Sequence, residues 1–279
     1  MVTTLAAPGK AGTPGGASAA AVRLGAVSYL NVEPIIHGLD RDSRFSLLRE
    51  VPSRVAERLH AGEIDLGTIP SIEYAFGDYA IVPGIAIGSR GPVRSVNLYH
   101  TVPVDELKRV ALDTSSRTSV ALLKVLLRER LGRDPEYLEM APSLDNMLGS
   151  ADAALLIGDP ALYLEGPVAH LDLGLAWQQA TGLPFVYAFW AGPLGVIDEP
   201  GVAALQTALE KGRKAVREIA ESYAAHGGGN ARTNEAYLTE HIQFDLGEAE
   251  QAGLREFYRR AFALGLIPRI PELRFHGHR

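Results

Sequence analysis

The stretch Asp113-Thr-Ser-Ser-Arg-Thr-Ser119 separates a short apolar run, 109–112, from a longer one, 120–131. Apolar residues in the longer run recur with the spacing of a helix, whereas the shorter run is typical of a strand. Hydroxyl side chains favour the starts of helices because their oxygens accept hydrogen bonds from free backbone N–H groups. The stretch therefore predicts one strand–loop–helix unit of an α/β fold.

The same loop has the composition of an anion-binding site. The first turn of a helix leaves backbone N–H groups pointing outward with partial positive charge behind them, and Arg117 would add a full charge. The alternative interpretation is a capped helix with a solvated arginine, since a cap needs only one or two of these residues. The candidate ligands of a carboxylate or phosphate are Ser115, Ser116, Arg117, Thr118 and Ser119.

Composition limits the classes of protein to which the chain can belong. Its 279 residues, 47% of them hydrophobic and 22% charged, are typical of a soluble globular protein with two domains. The net charge of −6 and the lack of a block of like charges argue against a nucleic-acid partner. The absence of cysteine excludes disulfides, thiolate metal sites and a cysteine nucleophile.

The first 21 residues are rich in Ala, Gly, Thr, Pro and Ser, and they predict a disordered tail rather than a signal peptide. No apolar run reaches the roughly 18 residues that a membrane span requires. We therefore expect a cytoplasmic protein with no membrane partner, and no feature indicates an obligate protein partner.

Strand and helix patterns alternate along the chain and then give way to helices alone, which is typical of two α/β units followed by a helical tail. We expect a discontinuous first lobe, 22–104 plus 192–279, and a second lobe, 105–191, with a cleft between them. The predicted crossing segments are 95–104 and 185–190. Predicted strands are 22–27, 45–48, 64–69, 79–87, 95–100, 109–112, 137–140, 153–157, 168–173 and 185–190, and the longest predicted helices are 119–131, 202–226 and 247–264.

Polar residues follow several of these strands, and ligands of such sheets bind at the carboxyl ends of the strands. Asn31, Ser71 and Asp159 are also natural helix caps, and the cap interpretation stays open for each of them. The strand-end groups expected to meet in the cleft are 28–31 (with Ser28, Tyr29 and Asn31), 70–71 (with Ser71), 91–95 (with Ser95), 115–119, and Gly158 with Asp159.

No sequence motif indicates a cofactor. The histidines are scattered without the spacing of metal ligands, and the chain has no phosphate-binding loop, dinucleotide fingerprint or Gly-x-Ser-x-Gly motif. We therefore expect neither a metal nor an organic cofactor. The residues by themselves predict a two-lobed protein that binds a small carboxylated ligand.

Six stretches together resemble the chorismate dehydratase family of the futalosine route to menaquinone, and the similarity runs from about residue 22 to residue 271. Each stretch alone is a weak signal, but the combination is specific. The stretches are Ser28-Tyr-Leu-Asn31, Pro70-Ser-Ile-Glu-Tyr74, Gly91-Pro-Val-Arg-Ser95, Ser115-Ser-Arg-Thr-Ser119, Leu156-Ile-Gly-Asp159 and Thr181-Gly-Leu-Pro-Phe185.

The resemblance implies a two-lobed fold like that of type II periplasmic binding proteins. It also implies that chorismate loses its ring hydroxyl and a ring proton to give 3-[(1-carboxyvinyl)oxy]benzoate and water, with the enolpyruvyl carboxylate of the substrate taking the proton. Asn31 and Ser95 match the catalytic Asn and Ser of the family. No redox cofactor is implied, because the elimination produces an aromatic ring.

Three alternative functions remain open. A sibling enzyme with this fold makes 1,4-dihydroxy-6-naphthoate and is expected to use a histidine in the cleft, whereas the histidines here lie outside the six stretches. A non-catalytic solute receptor is the second alternative, although the chain shows no signal peptide. The third is an effector-sensing domain, but no DNA-binding helix pair or basic patch is present.

Overall fold

The computed structural model describes residues 20–164 and 166–277, so residues 1–19 of the expected tail lie outside the described residues. Most predicted strands are confirmed. The strands are β1 (Val22–Val27), β2 (Phe45–Glu50), β3 (Leu66–Pro70), β4 (Tyr79–Ile81), β5 (Ile87–Ser89), β6 (Val96–His100), β7 (Arg109–Asp113), β8 (Glu136–Met140), β9 (Ala153–Ile157), β10 (His170–Asp172) and β11 (Phe185–Pro193).

Helices follow the strands as the sequence pattern indicates. Short 3₁₀ helices occupy Leu30–Ile36 and Ser71–Phe76, and a π-helical turn occupies Tyr237–His241. The α-helices are α1 (Pro52–His60), α2 (Thr118–Leu131), α3 (Leu144–Leu148), α4 (Gly158–Leu162), α5 (Leu173–Thr181), α6 (Glu199–Lys214), α7 (Val216–Ala225), α8 (Ala231–Ala236) and α9 (Glu248–Ala263).

The strands form two separate sheets, one in each lobe. In the first, of order β2-β1-β3-β11-β4 with β5 also on β11, β1 runs parallel to β2 and β3 while β11 runs antiparallel to its neighbours. In the second, of order β10-β6-β9-β7-β8, β7 runs parallel to β8 and β9. The expected α/β fold with two lobes is confirmed.

Two strands belong to the opposite sheet from the one that the predicted lobe boundaries imply. The predicted boundaries put strand β6 in the first lobe, but it pairs along its whole length with β9 of the second sheet. The same boundaries put strand β11 in the second lobe, but it pairs with β3 of the first sheet. An alternating pattern shows that a strand has two faces, but it does not show which neighbour the strand pairs with.

Two predicted elements are broken into shorter ones. The strand predicted over 79–87 is divided into β4 and β5 at Pro83, which has no N–H to donate, and Gly84, whose φ is +79°. The helix predicted over 202–226 is divided into α6 and α7 at Ala215, whose φ of −97° and ψ of 11° leave the helical range. No proline marks this second break.

The C-terminal third packs on the first lobe. Helix α6 lies against the 3₁₀ helix Leu30–Ile36 so closely that a Cβ on Gly212 would meet the carbonyl oxygen of Pro34 at 2.0 Å. Near the chain end, the N–H of His276 donates to the carbonyl oxygen of Ile81 in β4 (2.9 Å). Among the described residues, no helix is long and apolar enough to cross a membrane.

Candidate functional site

A cleft lies between the two lobes, where the carboxyl ends of β1, β3, β7 and β9 face each other. It encloses about 570 Å³ of space, including the part open to solvent. The lining residues are Val27, Tyr29, Asn31, Val32, Pro52, Pro70, Ile87, Val93, Ser95, Val96, Ser116, Arg117, Thr118, Ser119, Ile157, Gly158, Tyr187 and Ala188.

The structure brings most of the predicted site residues to this cleft. Of the twelve, Ser28, Ser71, Ser115 and Asp159 lie outside the lining. The eight that line it are Tyr29, Asn31, Ser95, Ser116, Arg117, Thr118, Ser119 and Gly158.

Asn31 and Ser95 are joined by a tyrosine that the sequence did not single out. Asn31 Nδ2 donates to Tyr237 Oη (3.2 Å), and Tyr237 Oη lies 2.7 Å from Ser95 Oγ. Tyr237 and Ser95 are both only 1% exposed. Burial raises the pKa of Tyr237, so its hydroxyl stays protonated at neutral pH. We call these three side chains the amide–hydroxyl cluster.

The helix-cap interpretation of Asn31 is wrong. The N-cap position of the 3₁₀ helix Leu30–Ile36 is Tyr29, whose side chain makes no capping hydrogen bond. The side-chain amide of Asn31 instead reaches Tyr237, which lies 206 positions along the chain. Asn31 is therefore free of any local role in starting its helix.

Ser95 is positioned by an unusual backbone conformation of the preceding residue. Arg94 has a φ of +63°, which is costly for a residue with a Cβ. Asp172 stabilises this conformation, since its carboxylate accepts hydrogen bonds from the N–H groups of Val93 (3.1 Å) and Arg94 (2.7 Å). Asn97 adds a bond to the carbonyl oxygen of Arg94 (2.7 Å).

The other polar part of the cleft is the loop Ser116 to Ser119 with the start of α2, which we call the helix-start region. Arg117 occupies the N-cap position, and no side chain within the described residues caps this helix. The backbone N–H groups of the first turn are therefore left for a ligand. Ser116 and Ser119, which are 7% and 4% exposed, line the cleft beside them.

Arg117 lines the cleft, but its guanidinium is already paired. Its Nη1 lies 3.2 Å from Glu73 Oε1, and its Nη2 lies 3.1 Å from Glu57 Oε1. Glu73 is 5% exposed, and its other oxygen contacts His60 Nε2 at 2.8 Å. The positive charge expected at the helix start is thus already engaged in ion pairs with two carboxylates of the first lobe.

Thr118 uses its hydroxyl to join the lobes. Thr118 Oγ1 accepts a hydrogen bond from the backbone N–H of Ile72 (3.2 Å). Ser71, which precedes Ile72 in the chain, is fully buried, and its hydroxyl donates to the carbonyl oxygen of Val186 in β11 (2.8 Å). Ser71 therefore fixes the floor of the cleft, and its expected role as a helix cap is wrong, because the 3₁₀ helix has Pro70 at its N-cap and no side-chain cap.

The interpretation of Asp159 as the cap of α4 is wrong, since Ile157 holds that N-cap position and the side chain of Asp159 bonds elsewhere. Its carboxylate instead accepts a hydrogen bond from the backbone N–H of Leu30 (3.3 Å) and another from the hydroxyl of Tyr223. Burial raises the pKa of Asp159, and these two hydrogen bonds oppose that effect.

Tyr29 closes one side of the cleft against the second lobe. Gly158 has a φ of +64°, and a Cβ there would lie 2.7 Å from the ring of Tyr29. Burial raises the pKa of Tyr29. The hydroxyl of Ser115 donates to Asp113 Oδ1 (2.6 Å). Ser28 is exposed, and its hydroxyl donates to the carbonyl oxygen of Glu50 (3.3 Å).

Sequence reasoning missed three residues of this site. Tyr237 begins a π-helical turn in a segment that the sequence predicts only as helix. Asp172 lies in β10, far along the chain from Ser95. Tyr187 lines the cleft from β11 and contacts Ser89 Oγ (3.1 Å). A π-helical turn often occurs at a functional site, but its sequence carries no recognisable signal.

The lining of the cleft is poor in groups that transfer protons. Among the described residues, the lining includes no Asp, Glu or His. The phenols of Tyr29 and Tyr187 are neutral, because burial raises the pKa of each. No group of three or more His, Asp or Glu in the described ranges is placed to hold a metal ion.

Comparison with known proteins gives the family. Residues 22–263 match the family profile described as menaquinone biosynthesis. A chorismate dehydratase of Thermus thermophilus is 35% identical over 267 residues, which cover 87% of this chain and 95% of that protein. A chorismate dehydratase of Campylobacter jejuni is 28% identical over 245 residues, which cover 85% of this chain and 92% of that protein.

Solved structures confirm the fold. A protein from Archaeoglobus fulgidus superimposes with a TM-score of 0.74 at 18% identity, covering 89% of this chain and 99% of that one. The periplasmic aliphatic sulphonate binding protein of Escherichia coli superimposes with a TM-score of 0.66 at 19% identity, covering 94% and 96%. The chain has the two-lobed fold of periplasmic binding proteins.

Proposed function

Because the chain belongs to the menaquinone biosynthesis family, we propose that it is a chorismate dehydratase. The reaction removes the ring hydroxyl and a ring proton from chorismate and gives 3-[(1-carboxyvinyl)oxy]benzoate and water. Two curated chorismate dehydratases align over most of their length with this chain, which supports the proposal. The features of the cleft agree with the chemistry that such a reaction requires.

The observation that carries the proposal is a cleft with anion-binding groups but no protein base. Chorismate is a dianion, and the helix-start region offers backbone N–H groups and hydroxyls to a carboxylate. The lining described here includes no carboxylate or imidazole to take the ring proton. A substrate that brings its own carboxylate base fits such a cleft.

We propose that the enolpyruvyl carboxylate of chorismate takes the ring proton. The electron pair of the C–H bond then forms the new double bond of the ring, and the hydroxyl leaves with the electron pair of the C–O bond. The proton carried by the new carboxylic acid finally completes the water, so the protein ends unchanged. The protein has to hold the carboxylate and the departing hydroxyl in the right places, and positioning of this kind can lower a barrier by several kcal/mol.

Asn31 and Ser95 are the groups to which we assign this positioning. Both line the cleft, and both are neutral hydrogen-bonding groups that would not repel a dianion. The apolar lining, including Ile87, Val93 and Ile157, suits the faces of the substrate ring. We also propose the cytoplasm as the compartment, as is usual for a biosynthetic enzyme acting on a small anion.

The test is incubation of the purified protein with chorismate, followed by ultraviolet absorbance and mass spectrometry. We expect loss of one water from the substrate and appearance of an aromatic product, with no change in a control that contains heat-denatured protein. Chorismate that binds but is recovered unchanged would instead favour a non-catalytic receptor. The sibling naphthoate synthase is disfavoured by the lack of histidine in the described lining.

A further inference from the structure

We propose that Tyr237 is a positioning residue that directs the hydroxyl proton of Ser95 into the cleft. The inference rests on the proposed function, because it makes the Ser95 hydroxyl a hydrogen-bond donor to the departing hydroxyl of the substrate. It follows from the direction of the hydrogen bonds in the amide–hydroxyl cluster.

The donor and acceptor roles in the cluster follow from the side-chain amide of Asn31. A side-chain amide nitrogen is only a donor, so Tyr237 Oη accepts from Asn31 Nδ2 across 3.2 Å. The phenolic proton of Tyr237 then needs an acceptor of its own, because a buried donor without a partner costs about 1–3 kcal/mol. In the described part of the chain, the acceptor within hydrogen-bond distance is Ser95 Oγ at 2.7 Å.

The reverse arrangement leaves one proton unpaired. If Ser95 donated to Tyr237, the phenolic proton would have no acceptor in the described part of the chain. Tyr237 is 1% exposed, so solvent does not provide one. The favoured order is therefore Asn31 to Tyr237 to Ser95, and the hydroxyl proton of Ser95 is left to donate into the cleft that Ser95 lines.

A donor at this position has a chemical use. As the C–O bond breaks, negative charge develops on the departing oxygen, and a fixed donor stabilises that charge more than it stabilises the uncharged hydroxyl. The backbone conformation at Arg94 and the carboxylate of Asp172 fix the main chain of Ser95, whereas Tyr237 fixes the direction of its O–H bond.

The experiment compares Tyr237→Phe with Tyr74→Phe. Tyr74 is a matched control, because it is 2% exposed, accepts from Arg274 N (3.0 Å) and donates to Glu272 O (3.0 Å), away from the cleft. We expect Tyr237→Phe to lower kcat about tenfold to a hundredfold with little change in KM, since a misdirected group has effects of this size. Tyr74→Phe should lower only the melting temperature.

A double-mutant cycle distinguishes an effect of Tyr237 on the direction of the Ser95 O–H bond from a general effect on packing. If Tyr237 acts through Ser95, adding Tyr237→Phe to Ser95→Ala should cause little further loss of kcat. If the two losses of kcat multiply in the double variant, or if the Tyr237→Phe variant has normal kcat, the inference is overturned. In either case the unmodified enzyme still converts chorismate, whereas failure of the proposed function would appear as no conversion by the unmodified enzyme.

A second measurement tests the inference if the Tyr237→Phe variant does not fold. A tyrosine analogue fluorinated on its ring keeps the shape but loses its hydroxyl proton at lower pH, and the resulting phenolate would accept a proton from Ser95 instead of donating one. Asp159, Tyr163 and Tyr187 are the titratable groups that interact electrostatically with Tyr237 in the fold, and they are unchanged in this protein. We expect kcat to fall at a lower pH than in the unmodified enzyme, and an unchanged pH profile would contradict the inference.

Discussion

The helix-start region and the amide–hydroxyl cluster face the same cleft but are built in opposite ways. The helix-start region comes from four consecutive residues of the second lobe, and much of its hydrogen-bonding capacity lies in the backbone. The amide–hydroxyl cluster comes from Asn31, Ser95 and Tyr237, which lie in three distant segments and act through side chains. The first is suited to holding a charge, and the second to fixing neutral groups in place.

This difference leads us to expect different kinetic roles. A carboxylate bound at a helix start is charged in both the ground state and the transition state, so such binding mainly affects KM. A neutral donor directed at a bond that breaks acts mainly in the transition state, and its loss mainly affects kcat. Substitutions in the two regions should therefore separate effects on KM from effects on kcat.

The largest expected effect is that of Asn31→Asp. It places a negative charge beside a dianion and removes the amide donor to Tyr237, so we expect kcat to fall about a hundredfold to a thousandfold, by analogy with a lost oxyanion-hole donor. Steady-state kinetics and the melting temperature measure it. The control is Asn230→Asp, because Asn230 is a true N-cap whose Oδ1 accepts from Thr233 N (2.9 Å), and Asp caps equally well. Near-normal kcat in Asn31→Asp would remove Asn31 from the catalytic role.

Ser119→Ala is expected to have the next largest effect, and on KM rather than kcat. Loss of one hydrogen bond to a charged group corresponds to about a tenfold to a hundredfold rise in KM. Ser143→Ala is the control, since Ser143 is at the N-cap position of α3 and does not line the cleft. A steep fall in kcat with unchanged KM would place the helix-start region at the reacting bond and reverse the division of roles.

Arg117→Ala should raise KM by a smaller factor, about threefold to tenfold, because its charge is shared with Glu57 and Glu73 and partly exposed ion pairs are weak. The matched control is Arg58→Ala, since Arg58 also pairs with two glutamates, Glu50 and Glu63, but does not line the cleft. Equal effects of the two substitutions on KM would show that Arg117 serves only to join the lobes.

The contrast between the regions also explains what the sequence could predict. The helix-start region was visible because its residues are consecutive and follow a strand, and Asn31 and Ser95 were visible through strand ends and family resemblance. Tyr237 was not, because only tertiary packing brings residue 237 to within 2.7 Å of Ser95. Thr118 and Asp159, which suggested helix caps, instead join the lobes, because local patterns do not show which distant backbone group needs a partner. Lobe boundaries failed for the same reason at β6 and β11.

The smallest expected effect concerns Asp159, the carboxylate that holds the backbone next to Asn31 from the opposite lobe. Burial raises its pKa above the ordinary value of 3.8, so in the pH range just above 3.8 the folded state binds more protons than the unfolded state. The contribution of Asp159 to stability therefore falls as pH rises through that range.

Asp159→Asn cannot ionise, and the melting temperature of the unmodified protein should fall relative to this variant as pH is raised from about 4 to 7. Asp42→Asn gives the opposite slope at lower pH, between about 2 and 4, because Arg44 lowers the pKa of Asp42 to about 2 and the stabilisation by its carboxylate appears as pH rises through that range. Slopes of the same sign for the two variants would mean that the Asp159 carboxylate is stabilised rather than destabilised between the lobes, and that it could then hold the backbone beside Asn31 as a permanent charge.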